Sequence, residues 1–313
     1  KEIDFLPSHE LDRRTIYDAD KVWRVRIAGT WEGKPAVLRL ENTKLSRDEE
    51  EIRAAFRAGL STGARVRPPH TYRSSPFMEV RGYGYSLDEL VEGTFLFDPA
   101  GDPLQAAQVF SRFYRELRQS VEGPFWPTPS LTAAVLTKDQ MEGWLTLARE
   151  KRPAWTARYE SLLRPLLEQV VSALGERPLV FMHPHLAGTD VRVNPQGEYI
   201  VFANHMWAWR QPGYDGAFPT WGQWLARPNS ERTSPGITRV THAWEQEYRT
   251  SLPDLISISD WRIMLLNRIF GAILLDVPAI MQKTGESEAT VQPLIDALLE
   301  EANRLQIEIE KEA

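Results

Sequence analysis

The stretch Leu179-Val180-Phe181-Met182-His183-Pro184-His185-Leu186-Ala187-Gly188-Thr189-Asp190-Val191-Arg192-Val193 decides how the chain is read. A short apolar strand runs into a loop carrying two histidines, a glycine and an aspartate, and the loop runs into a second apolar strand. The turn Asn194-Pro195-Gln196-Gly197 and the run Tyr199 to Ala203 complete a hairpin, because the turn residues break an extended chain that both flanks favour.

Upstream, Val22 to Ile27 and Ala36 to Leu40 are two alternating segments around a turn at Gly29 to Lys34, which predicts another hairpin. The period of two puts Val37 and Arg39 on one face of the second strand, with Ala36, Leu38 and Leu40 on the other. A lone cation on a sheet face needs an anionic partner. Ser46 to Leu60 is expected to be a helix, with Ser46 as its N-cap and acids in its first turn, so Asp48 or Glu49 can point inward with Ile52 and Phe56. The same acids also suit a helix N-terminus for its dipole alone. Phe77 to Tyr85 reads as strand and turn, leading into Ser86-Leu87-Asp88-Glu89-Leu90-Val91-Glu92-Gly93.

Beyond Gly93 the pattern changes to amphipathic helices, roughly at Pro103 to Val121, Thr137 to Lys151 and Trp155 to Leu174. Tyr214 onward is again helical, ending in a charged helix at Glu286 to Glu312. The expected fold class is therefore α+β. A strand-rich part at 1–92 precedes a mostly helical part at 93–313, which contains the loop and hairpin at 183–203.

A chain of 313 residues with 42% hydrophobic and 26% charged residues can bury a sizeable core. The net charge of -6 argues against a surface made to hold nucleic acid or anionic lipid. The absence of cysteine excludes disulfides, thiolate metal sites and cysteine nucleophiles. Lys1-Glu2-Ile3-Asp4 opens no apolar signal region, and the most apolar stretch, Ile269 to Met281, is interrupted by Asp276 and Pro278. A cytoplasmic protein is expected.

The order of these parts resembles the aminoglycoside phosphotransferase and choline kinase group, which has the bilobal protein kinase-like fold. The likeness covers about residues 20 to 220 and rests on three local motifs. Leu87 to Gly93 is similar to the hinge "L-M-E-Y-V-E-G", which implies that the backbone of Glu89 and Val91 holds an adenine edge. His183 to Val191 is similar to the catalytic loop "H-G-D-L-H-P-G-N-V". Ala203-Asn204-His205-Met206 followed by Tyr214-Asp215 matches the spacing of "I-D-W-E" and a later "Y-D". The resemblance makes Arg39 the phosphate-binding cation, or else an edge-strand charge, with Asp48 or Glu49 bracing it and Val37 over the adenine. ATP and magnesium are the implied cofactors, and a hydroxylated small molecule is the implied acceptor. Residues 12 to 28 contain no glycine, so the phosphate-cradling loop of such proteins is missing.

The reactive positions depart from the pattern. His185 stands where the resemblance implies a catalytic aspartate. Asp190 and Asn204 stand where it implies a metal-binding asparagine and aspartate, so amide and carboxylate have changed places at constant summed charge. Asp190 with Asn204 still offers magnesium hard oxygen ligands. Three readings follow. The first is an impaired or inactive pseudokinase that binds nucleotide and acts through a ligand or protein partner. The second is an active phosphotransferase with His185 as base and Asp190 and Asn204 at the metal. The third is a transition-metal site made of His183, His185, Asp190 and His205. His183 can instead organise its loop through a backbone bond. Asp215 either braces the loop or caps a helix, and Trp207, Trp209, Trp221 and Trp224 are core residues or an acceptor platform.

Overall fold

The computed structural model describes residues 4–15, 22–42 and 49–312. It divides into two compact units. The first comprises Lys1–Phe95, Glu116–Phe125 and Asp190–Met206, and the second Leu96–Arg115, Trp126–Thr189 and Trp207–Ala313.

The first unit begins with β1 (Phe5–Thr15), β2 (Val22–Trp31) and β3 (Lys34–Glu41), followed by α1 (Glu49–Ala58), β4 (Val66–Arg67), β5 (Thr71–Met78), β6 (Tyr83–Glu89) and β7 (Thr94–Phe95). Its main sheet is antiparallel in the order β1-β2-β3-β6-β5. The β2–β3 turn is tighter than expected. Trp31 pairs with Lys34, and only Glu32 and Gly33 lie between them, with φ of 48° and 76°. Two successive left-handed residues match the right-handed twist of the flanking strands, and glycine takes the second at no steric cost. β1 is an edge strand that the sequence pattern conceals. Its Pro7, Glu10 and Asp12 are residues that discourage further pairing at a sheet edge.

The second unit supplies α2 (Pro103–Ser120, whose last turn belongs to the first unit), α3 (Ala133–Lys151) and α4 (Pro153–Leu174). Thr132 caps α3 through the Val135 N–H, and Pro153 opens α4 where a missing N–H costs nothing. β8 (Val180–Met182) follows, then a 3₁₀ turn at Gly188–Asp190 and the hairpin β9 (Val191–Val193) and β10 (Tyr199–Val201). This hairpin is laddered to β4 and β7 in the order β4-β10-β9-β7, which is why residues 190–206 group with the N-terminal strands. Gly93 makes the ladder possible. Its φ is +129°, and a Cβ there would lie 2.1 Å from the Val193 carbonyl oxygen.

After a second 3₁₀ turn at Asn204–Met206, β11 (Ala208–Arg210) pairs with β8. The chain continues as α5 (Tyr214–Ala226), α6 (Ser234–Ser251), α7 (Ile258–Gly271), a π-helical segment (Ala272–Asp276), α8 (Val277–Thr284) and α9 (Glu288–Glu312). Every residue of α7 from Trp261 to Gly271 is buried, so this stretch has no solvent-facing side and forms the centre of its unit. Together α7, the π segment and α8 form a run of 27 residues, Ile258–Thr284, apolar and long enough to cross a membrane, yet 83% of its most apolar window is buried inside the fold. The run is longer than the expected Ile269 to Met281 because Asp276 and Pro278 are absorbed into helix. Asp276 takes a charged partner, and Pro278 sits in the first turn of α8.

Candidate functional site

Arg39 lies on β3, the central strand of its sheet, and is 8% exposed. It is therefore not an edge charge. Pairing puts Val37 beside Ala28 and Asp88, and Arg39 beside Arg26 and Ser86, so these side chains share one face. The guanidinium Nε of Arg39 donates to Ser86 Oγ at 3.0 Å, and Nη1 donates to Glu49 Oε2. Asp48 and Ser46 fall outside the described residues, so Glu49, the first residue of α1, is the acid placed on Arg39.

Glu49, 3% exposed, is the hub of a network. Its Oε1 accepts from Arg53 one turn along α1 at 3.2 Å, its Oε2 lies 3.3 Å from His205 Nδ1, and Arg24 approaches to 4.0 Å. Arg53 continues to Asp88 Oδ1 at 2.5 Å and Thr71 Oγ1 at 2.9 Å, and Ser86 Oγ donates to Asp88 Oδ2 at 2.9 Å. Arg24 donates to Glu41 at 2.7 Å. Three arginines thus face three carboxylates, the balance that makes burial of so many charges tolerable. Burial alone would pull Arg39 down, but Glu49, Asp88 and Glu41 reverse this and hold it above its ordinary value. Burial likewise pushes the Glu49 carboxyl up, and Arg39, Arg53 and His205 overcome it, holding Glu49 well below the usual carboxylate range. Sequence reasoning missed Arg24, Arg53 and Asp88, and it gave His205 a metal role in place of its contact with Glu49. Only Arg53 carried a local signal, its i,i+4 spacing from Glu49.

At the end of β6, the Glu89 N–H donates to the His70 carbonyl at 2.9 Å, and its carboxylate accepts from Arg67 at 2.8 Å. The Val91 carbonyl accepts from Arg192 Nη1 at 2.9 Å. Half of the hinge groups expected to meet a nucleobase are therefore already paired within the unit.

Asp190 and Asn204 flank the open end of the β9–β10 hairpin, where the Phe202 N–H donates to the Asp190 carbonyl at 2.8 Å. Asn204 is fully buried. Its Nδ2 donates to the Val201 carbonyl at 2.8 Å, which orients the amide, and its Oδ1 has no partner. The preceding residue, Ala203, is held at φ 54°, a left-handed conformation unusual for a residue with a Cβ. His205 on Glu49 links this turn to Arg39. The buried, unpartnered Asn204 oxygen is a hard donor of the kind magnesium takes, and Asp190 with Asn204 are the residues that would hold the ion.

His185 belongs to the second unit, where its ring packs 4.2 Å from Phe218. The His185 N–H donates to His183 Nδ1 at 3.4 Å, so His183 organises the loop. The transition-metal reading is corrected. Among the described residues no group of three or more His, Cys, Asp or Glu could hold a metal. The physical reason is that the His183 ring turns to the His185 N–H and His205 to Glu49. Asp215 accepts from the Tyr114 hydroxyl and the Gly216 N–H. Trp207 is buried against Phe181, and Trp209 donates to the Trp126 carbonyl, so both serve packing.

No family model matches the chain, and no curated protein matches it in sequence. Solved structures do. A thermostable mutant of aminoglycoside phosphotransferase APH(4)-Ia, in its apo form, aligns at 14% identity and a TM-score of 0.55, covering 97% of this chain and 96% of that one. Spectinomycin phosphotransferase APH(9)-Ia, solved with ADP and spectinomycin, aligns at 8% identity and 0.53, covering 94% and 93%. An aminoglycoside phosphotransferase from Alicyclobacillus acidocaldarius aligns at 10% identity and 0.52, covering 96% and 93%. The APH(4)-Ia mutant has also been solved with AMP-PNP and hygromycin B. The chain thus has the bilobal, kinase-like α+β fold of the aminoglycoside phosphotransferases.

Proposed function

We propose that the protein is a nucleotide-binding member of this fold group, a pseudokinase whose phosphoryl transfer is impaired. The observation that carries the reading is the pairing of Arg39 with Glu49, linked through His205 to the turn that holds the unpartnered oxygen of Asn204. In this reading Arg39 orients the phosphates and Val37 covers the base. The base edge is left to the Glu89 carbonyl and the Val91 N–H, one acceptor beside one donor. Asp190 and Asn204 hold magnesium, which when bound neutralises phosphate charge. The missing aspartate at position 185 removes a general base, an effect of about 10²- to 10⁴-fold in rate. The protein is then a cytoplasmic binder that acts through a ligand or a protein partner.

A second reading is favoured by the seating of His185. His183 fixes its loop and Phe218 fixes its ring, so His185 can accept the proton of a hydroxyl acceptor and leave an active ATP-dependent phosphotransferase.

Thermal unfolding with ATP tests the first reading, because a ligand of the folded state must raise the melting temperature. A modest, magnesium-dependent rise that Arg39→Ala weakens is expected. No rise at millimolar ATP leaves only a non-nucleotide scaffold. ATP consumption with a panel of hydroxylated molecules separates the readings: sustained turnover abolished by His185→Ala overturns impairment.

A further inference from the structure

The second unit holds a buried cation that phosphoryl transfer does not employ. Arg268 on α7 is 6% exposed, and its guanidinium carbon lies 3.9 Å from the centre of the Trp221 ring, 5.5 Å from Trp144 and 5.6 Å from Phe218. Nη1 donates to the Tyr214 hydroxyl and Nη2 to Asp276, each at 3.2 Å, while the buried Nε has no partner.

Two more buried donors without partners belong to, or lie over, residues that Arg268 touches. One is Trp221 Nε1. The other is Nε of Arg210, whose guanidinium lies 6.0 Å from the Tyr214 ring. Each of these atoms loses its water without gaining a bond within the chain. Asp276 is the only carboxylate that pairs with either arginine among the described residues, and Asp215 is already engaged by Tyr114. Arg268 therefore has one carboxylate partner and Arg210 none among the described residues.

Three features make the cluster a site. Arg210, Trp144 and Trp221 are only half-buried, so it can be reached. Phe218, which flanks Arg268, also packs on His185, so a single ring separates the guanidinium from the position of the base. The helix beneath is also irregular. Gly271 lies under Trp144, where a Cβ would sit 2.9 Å from the ring, and the π-helical segment that ends at Asp276 begins at the next residue.

We propose that Arg268, Arg210 and Trp221 recognise an oxyanion, carboxylate or phosphate, on the hydroxylated molecule presented to His185. The ligand is then an acidic polyol rather than a polycationic aminoglycoside. This rests on the placement of the acceptor at His185 under Proposed function.

Thermal unfolding of the whole protein with D-gluconate and with D-glucose 6-phosphate separates carboxylate from phosphate, with D-sorbitol and kanamycin as neutral and cationic controls, each at about 10 mM. At least one acid is expected to raise the melting temperature additively with ATP and magnesium, and the controls are not. Arg268→Gln and Arg210→Gln should weaken the apparent affinity by about tenfold or more. Trp221→Phe, which keeps the ring and deletes the N–H, should weaken it less. Should Arg268→Gln fail to fold, the two half-exposed positions carry the test. Silence with both acids, a response to kanamycin instead, or an acid response unchanged in Arg210→Gln and Trp221→Phe overturns the proposal. An ATP effect that survives such a failure leaves the nucleotide reading standing, whereas an acid response without an ATP effect removes the nucleotide reading alone.

Discussion

His205 Nδ1 lies 3.3 Å from Glu49 Oε2 and 3.4 Å from Arg24 Nη2, between an acceptor and a donor. A proton on Nδ1 serves Glu49, and a lone pair there serves Arg24, so the imidazole joins the 3₁₀ turn at Asn204–Met206 to α1 in one tautomer and to β2 in the other. Glu49 carries the charge of this junction. Its carboxyl is held well below its unfolded value in the fold, so its stabilisation is complete above about pH 4.3 and is lost as pH falls through the folded value. Glu49→Gln leaves Arg39 and Arg53 without their shared counter-charge and should cost about 3–5 kcal/mol at pH 7. Urea unfolding at a series of pH values checks this: the gap between wild type and variant should narrow below about pH 4. A gap independent of pH removes Glu49 as the hub.

Asn204→Asp would supply the acid that the resemblance implies at this position, but here the Nδ2 bond to the Val201 carbonyl is replaced by oxygen facing oxygen. A stability loss of about 1–3 kcal/mol without magnesium is expected. Added magnesium should recover part of it, because the new carboxylate joins Asp190 in binding the ion. Equal melting temperatures with and without the ion would rule out a metal role for the pair.

At Gly93 an alanine methyl would collide with the Val193 carbonyl at 2.1 Å and would have to adopt φ +129°. Gly93→Ala should lower stability by at least ~2 kcal/mol and free the β7 edge. Hydrogen exchange at residues 94–95 and 191–193 reports the loss directly. Unchanged protection there contradicts the close approach of Gly93 to β9.

His185→Asp reinstates a carboxylate base. If the missing base is what limits transfer, turnover with a competent acceptor should rise about 10²-fold or more. A fall in turnover shows that the imidazole is already the working base, which favours the active phosphotransferase.

The two hairpins and the helices of the second unit were legible because turn residues and apolar periodicity are local. Arg39 was legible for the same reason, since alternation along five residues assigns it a face. The rest of the charged network was not, because Asp88, Arg24 and His205 join it from three separate segments, and no local pattern encodes such a meeting. β1 escaped for the opposite reason: its composition protects an edge and so hides a strand. The arginine at 268 was masked by its surroundings, a cation inside a helix whose neighbours read as plain core.

The central helix at 258–284 has a consequence for synthesis. Its cover includes α9, where Glu308 and Glu312 clasp Arg262 and Val291, Leu294, Ile295 and Leu298 are buried. Residues 288–312 leave the ribosome after the segment they shield, so for that interval a stretch as oily as a membrane anchor waits unroofed. A version ending at Gly285 should accordingly clump or enlist chaperones, and supplying the missing helix as a separate peptide should relieve it.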